Sequence, residues 1–221
     1  MVTDSHEPVT PSTAGQLILD AIRTRRSIGN VRSERPPRDL IEKIIEAGTW
    51  APNHRLTEPW RFIVLAGEAR RAFGAVLGER QAAKRPATPG SPDEVAVTES
   101  RAAESKAAAK PLRAPVVIAV AVEPVVGPKI VEAEEVMAGA AAAQNMLLAA
   151  HALGLAAIWR TGDPAYDPAV KAFFGLESTA HLLGFIYVGY PEGTPPQRER
   201  TAADQVTRWL GWDDVPSSAT R

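Results

Sequence analysis

Leu182-Leu183-Gly184-Phe185-Ile186-Tyr187-Val188-Gly189-Tyr190 is the most strand-like run in the chain, apolar or aromatic throughout and interrupted only by glycine. Working upstream from it, Asp167-Pro168 has the cap and first-turn chemistry of a helix start, and Gly175 closes that helix after Phe173 and Phe174. Before it, 156–159 reads as a short strand, and Gly154 stands where a helix C-terminus favours glycine. The alanine-rich run 132–153 predicts one long helix, and 115–122 predicts an apolar strand. The first half alternates in the same way. Thr13 with Gln16 makes a capping-box signature ahead of Leu17, Ile18, Ala21 and Ile22 at helical spacing. Pro36-Pro37 opens a second helix with Leu40, Ile41, Ile44 and Ile45 on one face and Gly48 near its end. After a loop over 50–59, 61–66 predicts a buried strand and 68–77 a third helix. Helices and strands thus interleave through one chain, which means a single α/β or α+β domain.

The chain has 221 residues, 45% of them hydrophobic, enough for one large domain with a sizeable core. The stretch 79–111 shifts to Ala, Lys, Glu, Pro and Ser and predicts a loop at Pro86, Pro89, Gly90 and Pro92, then a polar, exposed helix over 94–110. Because the apolar pattern resumes at once, this is an insertion or lid. Residues 1–13 carry Asp4, Glu7, Pro8 and Pro11 without an apolar core and are expected to be a disordered extension, not a signal peptide. The domain is expected over 14–212, followed by a flexible tail at 213–221. Gln144, Asn145 and His151 interrupt the alanine-rich run, which fits a helix buried in protein better than one crossing a membrane. The expected compartment is the cytoplasm.

No cysteine is present, which excludes disulfides, a thiolate nucleophile, Cys-ligated zinc and iron–sulfur clusters. The 25 basic and 26 acidic residues leave a formal charge of −1, no footprint for nucleic acid or an anionic membrane. The sequence contains no glycine-rich dinucleotide fingerprint, no P-loop and no nucleophile elbow. His6, His54, His151 and His181 never pair at metal-ligand spacing, so no metal site is expected, and His151 and His181 read as packing residues. The positive signal is a basic corner, Arg23, Arg25, Arg26 and Ser27. Guanidinium forks suit phosphate, and a neighbouring hydroxyl adds a donor. Cations are also favoured at any helix C-terminus, so these residues by themselves leave a phosphate site and a solvated helix end both open.

Two further sets of residues weight that choice. Arg25-Arg26-Ser27-Ile28, Ala47-Gly48-Thr49-Trp50-Ala51-Pro52 and Glu58-Pro59-Trp60-Arg61-Phe62-Ile63-Val64 follow one another in the first half. In the second half come Ala142-Ala143-Gln144-Asn145-Met146, then Gly154-Leu155-Ala156-Ala157-Ile158-Trp159-Arg160, then Leu183 to Pro191. In order and spacing these segments resemble the nitroreductase family of FMN enzymes, in its short single-domain branch. That family shows an Arg-Arg-Ser start, a helix ending in Ala-Pro, a Gln-Pro-Trp leading into a strand, and a closing glycine-bounded strand before proline. The resemblance runs from about Leu17 to Pro191.

It implies an α+β fold: a mixed, mostly antiparallel central sheet flanked by helices, in an intertwined homodimer with FMN sites at the subunit interface. By matching position, Arg25, Arg26 and Ser27 would hold the FMN phosphate and ribityl chain, with Arg26 foremost on the phosphate. His54 would reach the flavin from the partner subunit, and Trp50 would lie at a loop position near it. Trp159, Arg160 and Thr161 match a segment lining the isoalloxazine and phosphate side, with Arg160 favouring the reduced, anionic flavin. A tryptophan ending a strand is also often plain core, and Trp159 leaves that alternative open. The resemblance implies an oxidoreductase that takes hydride from NADH or NADPH onto flavin N5. It would then reduce a small acceptor, such as a nitroaromatic or quinone, in a two-step ping-pong reaction with no side chain as catalyst. A flavin store or sensor without nicotinamide turnover is the alternative, as are relatives that dehydrogenate, dehalogenate or fragment flavin; 79–111 would act as a substrate gate or as a permanent cover.

Two departures bear on the site: Leu56 replaces a polar Asn, and Glu58 replaces the Gln before Pro-Trp. The Glu58 carboxylate would disfavour an anionic reduced flavin or pair with Arg55 or Arg61. The tail from Glu192, with Arg198, Arg200, Trp209, Leu210 and Trp212, is expected to pack on the partner or on its own subunit.

Overall fold

Alternation along one central strand sets the layers. In the computed structural model, which describes residues 12–84, 94–195 and 198–210, the strand Val116–Val122 is buried at every position. Val116, Ile118 and Val120 join one core, while Val117, Ala119 and Ala121 join another, as the two-residue period of a strand requires. Both faces of the sheet are therefore covered. In chain order the elements are α1 (Thr13–Thr24), α2 (Arg38–Thr49), β1 (Trp60–Ala66), α3 (Glu68–Ala83), α4 (Glu94–Ala108), β2 (Val116–Val122), α5 (Glu132–Ala152), β3 (Ala156–Arg160), α6 (Pro168–Phe173) and β4 (His181–Gly189). The strands run in the order β1-β2-β4-β3, and each neighbouring pair is antiparallel. The parallel component of the expected mixed sheet is limited, among the described residues, to a lone bridge between Ser27 and Ala157.

On one face lie α2 and α5. Ile41 and Ile44 of α2 and Ala143, Met146 and Ala150 of α5 pack on Ile118, Ile186 and Val188. Small residues let α5 come close: a Cβ on Gly139 would sit 2.3 Å from Val122 Cγ2, and one on Gly48 2.9 Å from Met146 Cγ. The opposite core is aromatic. Phe73 of α3 lies 5.1–5.5 Å, centroid to centroid, from Phe173 and Phe185, in the tilted and stacked arrangements ring quadrupoles favour.

Several local expectations change. Helix α1 is capped by Ser12, whose hydroxyl accepts from Gly15 N, and not by Thr13, whose backbone is already helical. The extension expected over 1–13 otherwise lies outside the described residues, as does the tail over 213–221. Helix α3 continues to Ala83, beyond the expected 77. Strand β1 includes Trp60 and is an edge strand, so only Trp60 and Leu65 are buried in it. Helix α4 is exposed along most of its described length, as expected, but its C-terminal end is fastened to α3: a Cβ on Gly74 would lie 2.3 Å from Ala108 O, and Ala107 is buried. The described part of 79–111 is thus the end of α3, all of α4 and a 3₁₀ turn, Lys110–Arg113. By contrast α1 buries no residue at all, and Leu17, Ile18 and Ile22 stand 52–66% exposed.

Candidate functional site

Helix α1 ends where the basic corner begins, and its free carbonyls decide what the first arginine pair does. Arg26 folds its Nη1 back to donate to the carbonyls of Arg23 and Arg25, satisfying acceptors that a helix end leaves open. Arg25 is different: its Nη1 is buried and has no hydrogen-bond partner among the described residues. Burial first, then Arg200 and Arg26, push its guanidinium below its ordinary pKa. The charges of Arg26 and Arg200 are thus both felt at Arg25, whose Nη1 is the donor left without a partner among the described residues. Ser27 is exposed and bridges to Ala157 of β3, with Ile28 N donating to Ala157 O at 3.1 Å.

That bridge brings Trp159, Arg160 and Thr161 to the same edge of the sheet. Alternation sends their side chains to opposite faces. Trp159 packs partly buried on the α5 side and donates from Nε1 to Leu183 O at 3.1 Å. The acceptor is the unpaired residue of a bulge: register shifts from Val120↔Gly184 to Ala121↔Leu182, so Leu183 is skipped. Arg160 turns to the other face, its guanidinium carbon 5.5 Å from the Tyr187 ring centroid and Nη2 only 2.9 Å from where a Gly29 Cβ would be. Its Nε is buried and has no partner among the described residues. Thr161 is exposed at the strand end.

Trp50 and His54 do not join this group. Trp50, 80% exposed, follows α2, and His54 opens the 3₁₀ turn His54–Leu56 that leads into β1, the opposite sheet edge. Three inter-strand steps separate the edges, about 14 Å. The turn is strained: Arg55, Leu56 and Glu58 all have positive φ, 46–56°, a conformation disfavoured for residues with a Cβ. Hydrogen bonds over-determine it. Glu58 N donates to Asn53 Oδ1 at 3.1 Å, and Thr57 Oγ1 donates to Glu135 Oε1 at 2.7 Å.

Glu135 is the buried carboxylate at the centre of this network, 1% exposed on the inner face of α5, where its Oε2 also accepts from Val125 N at 3.3 Å. Sequence reading missed it, although its spacing from Ala138, Gly139 and Ala142 places it on the buried stripe. Replacing Glu135 by Gln should cost about 1–2 kcal/mol, because an amide presents one acceptor oxygen where two donors wait. Chemical denaturation would read that cost, and an unchanged midpoint would mean that the turn is held by its other bonds. Arg200, named in the tail by the sequence but given no part in the site, is near enough for its charge to act on Arg25. Among the described residues the Glu58 carboxylate pairs with neither expected arginine: Arg61 Nε binds Glu123 at 2.7 Å while its Nη1 donates to the Glu58 backbone carbonyl at 3.3 Å, and Arg55 Nε donates to Lys129 O. His151 and His181, both half-buried, are hydrogen-bonded to Thr24 and Glu132 respectively.

The nitroreductase family model matches residues 22–190. The chain is 32% identical over 174 residues to YdjA of Escherichia coli (strain K12), named as a candidate NAD(P)H nitroreductase, covering 79% of this chain and 88% of that protein. Among solved structures, the nitroreductase-like family protein of Bacillus cereus superposes with a TM-score of 0.71 at 24% identity, covering 93% of this chain and all of that one. A candidate nitroreductase of Desulfovibrio desulfuricans in complex with FMN superposes with a TM-score of 0.61 at 26% identity, over 87% of this chain and 96% of that one. Among the described residues no helix is long and apolar enough to cross a membrane.

Proposed function

The chain belongs to the nitroreductase family, and on that premise we propose that it is an NAD(P)H-dependent FMN oxidoreductase, cytoplasmic and homodimeric, that reduces a small electron acceptor. The observation carrying this reading is the buried, unpartnered Nη1 of Arg25 with Arg26 and Arg200 beside it. A phosphate monoester would fill that donor and offset the mutual repulsion of the three cations, as charge-assisted guanidinium–phosphate pairing does. The donor set thus fits FMN. When bound, FMN supplies the redox chemistry, accepting hydride from NADH or NADPH and passing electrons to the acceptor in a second, separate step.

The residues contribute binding, orientation and charge. Arg25, Arg26 and the Ser27 hydroxyl take the phosphate and ribityl end. Trp159 and Thr161 form the adjoining wall, the indole fixed by its bond to the Leu183 carbonyl. Arg160 keeps a positive charge against Gly29, of the sign that favours an anionic reduced cofactor. Trp50 and His54 are assigned to the site of a second copy. Their place at the opposite sheet edge supports that assignment, as does the uncovered apolar face of α1. The segment 79–111 is read as an insertion carried on α3.

A visible absorption spectrum of the purified protein, repeated without oxygen after NADH or NADPH is added, tests the proposal. An oxidised-flavin band that bleaches is expected. A band that persists with both nicotinamides would favour a flavin store or sensor, and a colourless protein that ignores added FMN would sink the reading altogether.

A further inference from the structure

Four described residues other than glycine adopt positive φ, and they form one group. Arg55, Leu56 and Glu58 lie in the turn between α2 and β1, at 46–56°, and Lys129, at 67°, accepts on its carbonyl from Arg55 Nε at 3.3 Å. Backbone held in that region persists only where its surroundings over-determine it, and such segments cluster where side chains must be held in place for function. The side chains displayed by this segment and the residue before it are uncovered in a single chain. Leu56 is 82% exposed and Trp50 80%, and His54 is open to solvent.

The anchors of the turn differ in their access to water. The bond from Arg55 to Lys129 O is exposed, as is His54 Nδ1, 3.9 Å from Glu134 Oε2, and solvent competes with both. The bond from Thr57 Oγ1 to Glu135 Oε1 is shielded, because Thr57 is half-buried and Glu135 fully so. That hydroxyl has one proton to give and also lies 3.2 Å from the His54 carbonyl, yet Glu135 stands closer, at 2.7 Å. The second Glu135 oxygen accepts from Val125 N, so one buried side chain ties the turn to the loop that carries Lys129. Both of its oxygens are spent on fixing these two segments.

We propose that Glu135 is a positioning residue of the flavin site: through Thr57 it sets the turn that carries His54 into the site of a second copy. The proposal rests on the flavin reading above and deepens it. Glu135 acts only through the backbone of 54–57, without touching cofactor or substrate.

Fluorescence titration of FMN into the flavin-stripped, full-length protein tests the assignment. Thr57→Val removes the hydroxyl at nearly constant size, and Glu135→Met removes both acceptors at similar length. Each should weaken FMN by about tenfold, as should His54→Ala, the loss of one contact. Thr57→Ser keeps the hydroxyl and should stay within about twofold of the unmodified protein. Thr57→Val added to Glu135→Met, or to His54→Ala, should cost nothing further, because the bond or the side chain it serves is already gone. A general loss of stability would weaken FMN whether or not His54 is present. Undiminished affinity in a stable Thr57→Val variant, equal losses in Thr57→Ser and Thr57→Val, or the same loss with and without His54 would each overturn the proposal. Should Glu135→Met fail to fold, the Thr57 and His54 variants decide alone. Failure of the flavin reading itself is seen without any variant: an unmodified protein that ignores FMN would sink that reading and this proposal with it.

Discussion

Substituting alanine for Arg25 and Arg26 together is expected to give a colourless protein whose affinity for added FMN has fallen by about 10²–10⁴-fold. Two charge-assisted bonds to phosphate contribute about 1.5–3 kcal/mol each, and every 1.4 kcal/mol is a factor of ten. The two positions should not contribute alike. Arg25 offers a buried donor with no partner among the described residues, so its single substitution should remove the proposed phosphate contact at little cost to the fold. Arg26 also closes the carbonyl end of α1, so its substitution should weaken both the helix terminus and the flavin. Fluorescence titration of the apoprotein with FMN separates these effects when paired with circular dichroism of α1. Full flavin occupancy in the double variant would mean that the corner is a helix end and nothing more.

That corner shows how far the sequence could be read. Segments whose partners are local were legible. Pro36-Pro37 opens α2, Asp167 caps α6 with its side chain on Ala169 N, and Gly154 and Gly175 close helices at positive φ. What escaped depends on contacts distant in the chain. The exposure of β1 follows from its place at the sheet edge, which is a property of strand order and not of the run 60–66 itself. Helix α4 carries no large apolar stripe, only alanines and valines among its polar residues, yet Gly74 and Gly78 on α3 let it dock through Ala108. A tail arginine does not announce that its charge will act on Arg25 across the fold. The sequence could therefore nominate candidate residues but not their arrangement. The opposite facings of Trp159 and Arg160, and the separation of Trp50 and His54 from the other six, emerge only once β3 and β1 take their places in the sheet.

Gly184→Val is expected to destabilise the protein by about 3–5 kcal/mol, because steric overlap and backbone strain act at one position. Gly184 sits at φ 129°, outside the range a residue with a Cβ adopts readily. A Cβ there would lie 2.4 Å from Arg160 O and 2.8 Å from Trp159 Nε1. The first contact is with backbone paired in the sheet, which cannot yield without opening the β3–β4 ladder at Arg160↔Phe185. The second is with the indole whose bond to Leu183 O closes the bulge. At about 2–4 °C per kcal/mol for a domain of this size, the melting temperature should fall by about 10 °C at fixed protein concentration. Gly154→Ala is the control: its φ of 74° is also positive, but nothing lies within 4 Å of the added carbon, so only the backbone cost of about 1 kcal/mol remains. Because the displaced groups are Trp159 and Arg160, Gly184→Val should also lower flavin occupancy, whereas Gly154→Ala should not. Equal melting temperatures for the two variants would mean that the bulge relaxes freely and that Gly184 does not hold Trp159 and Arg160 in place.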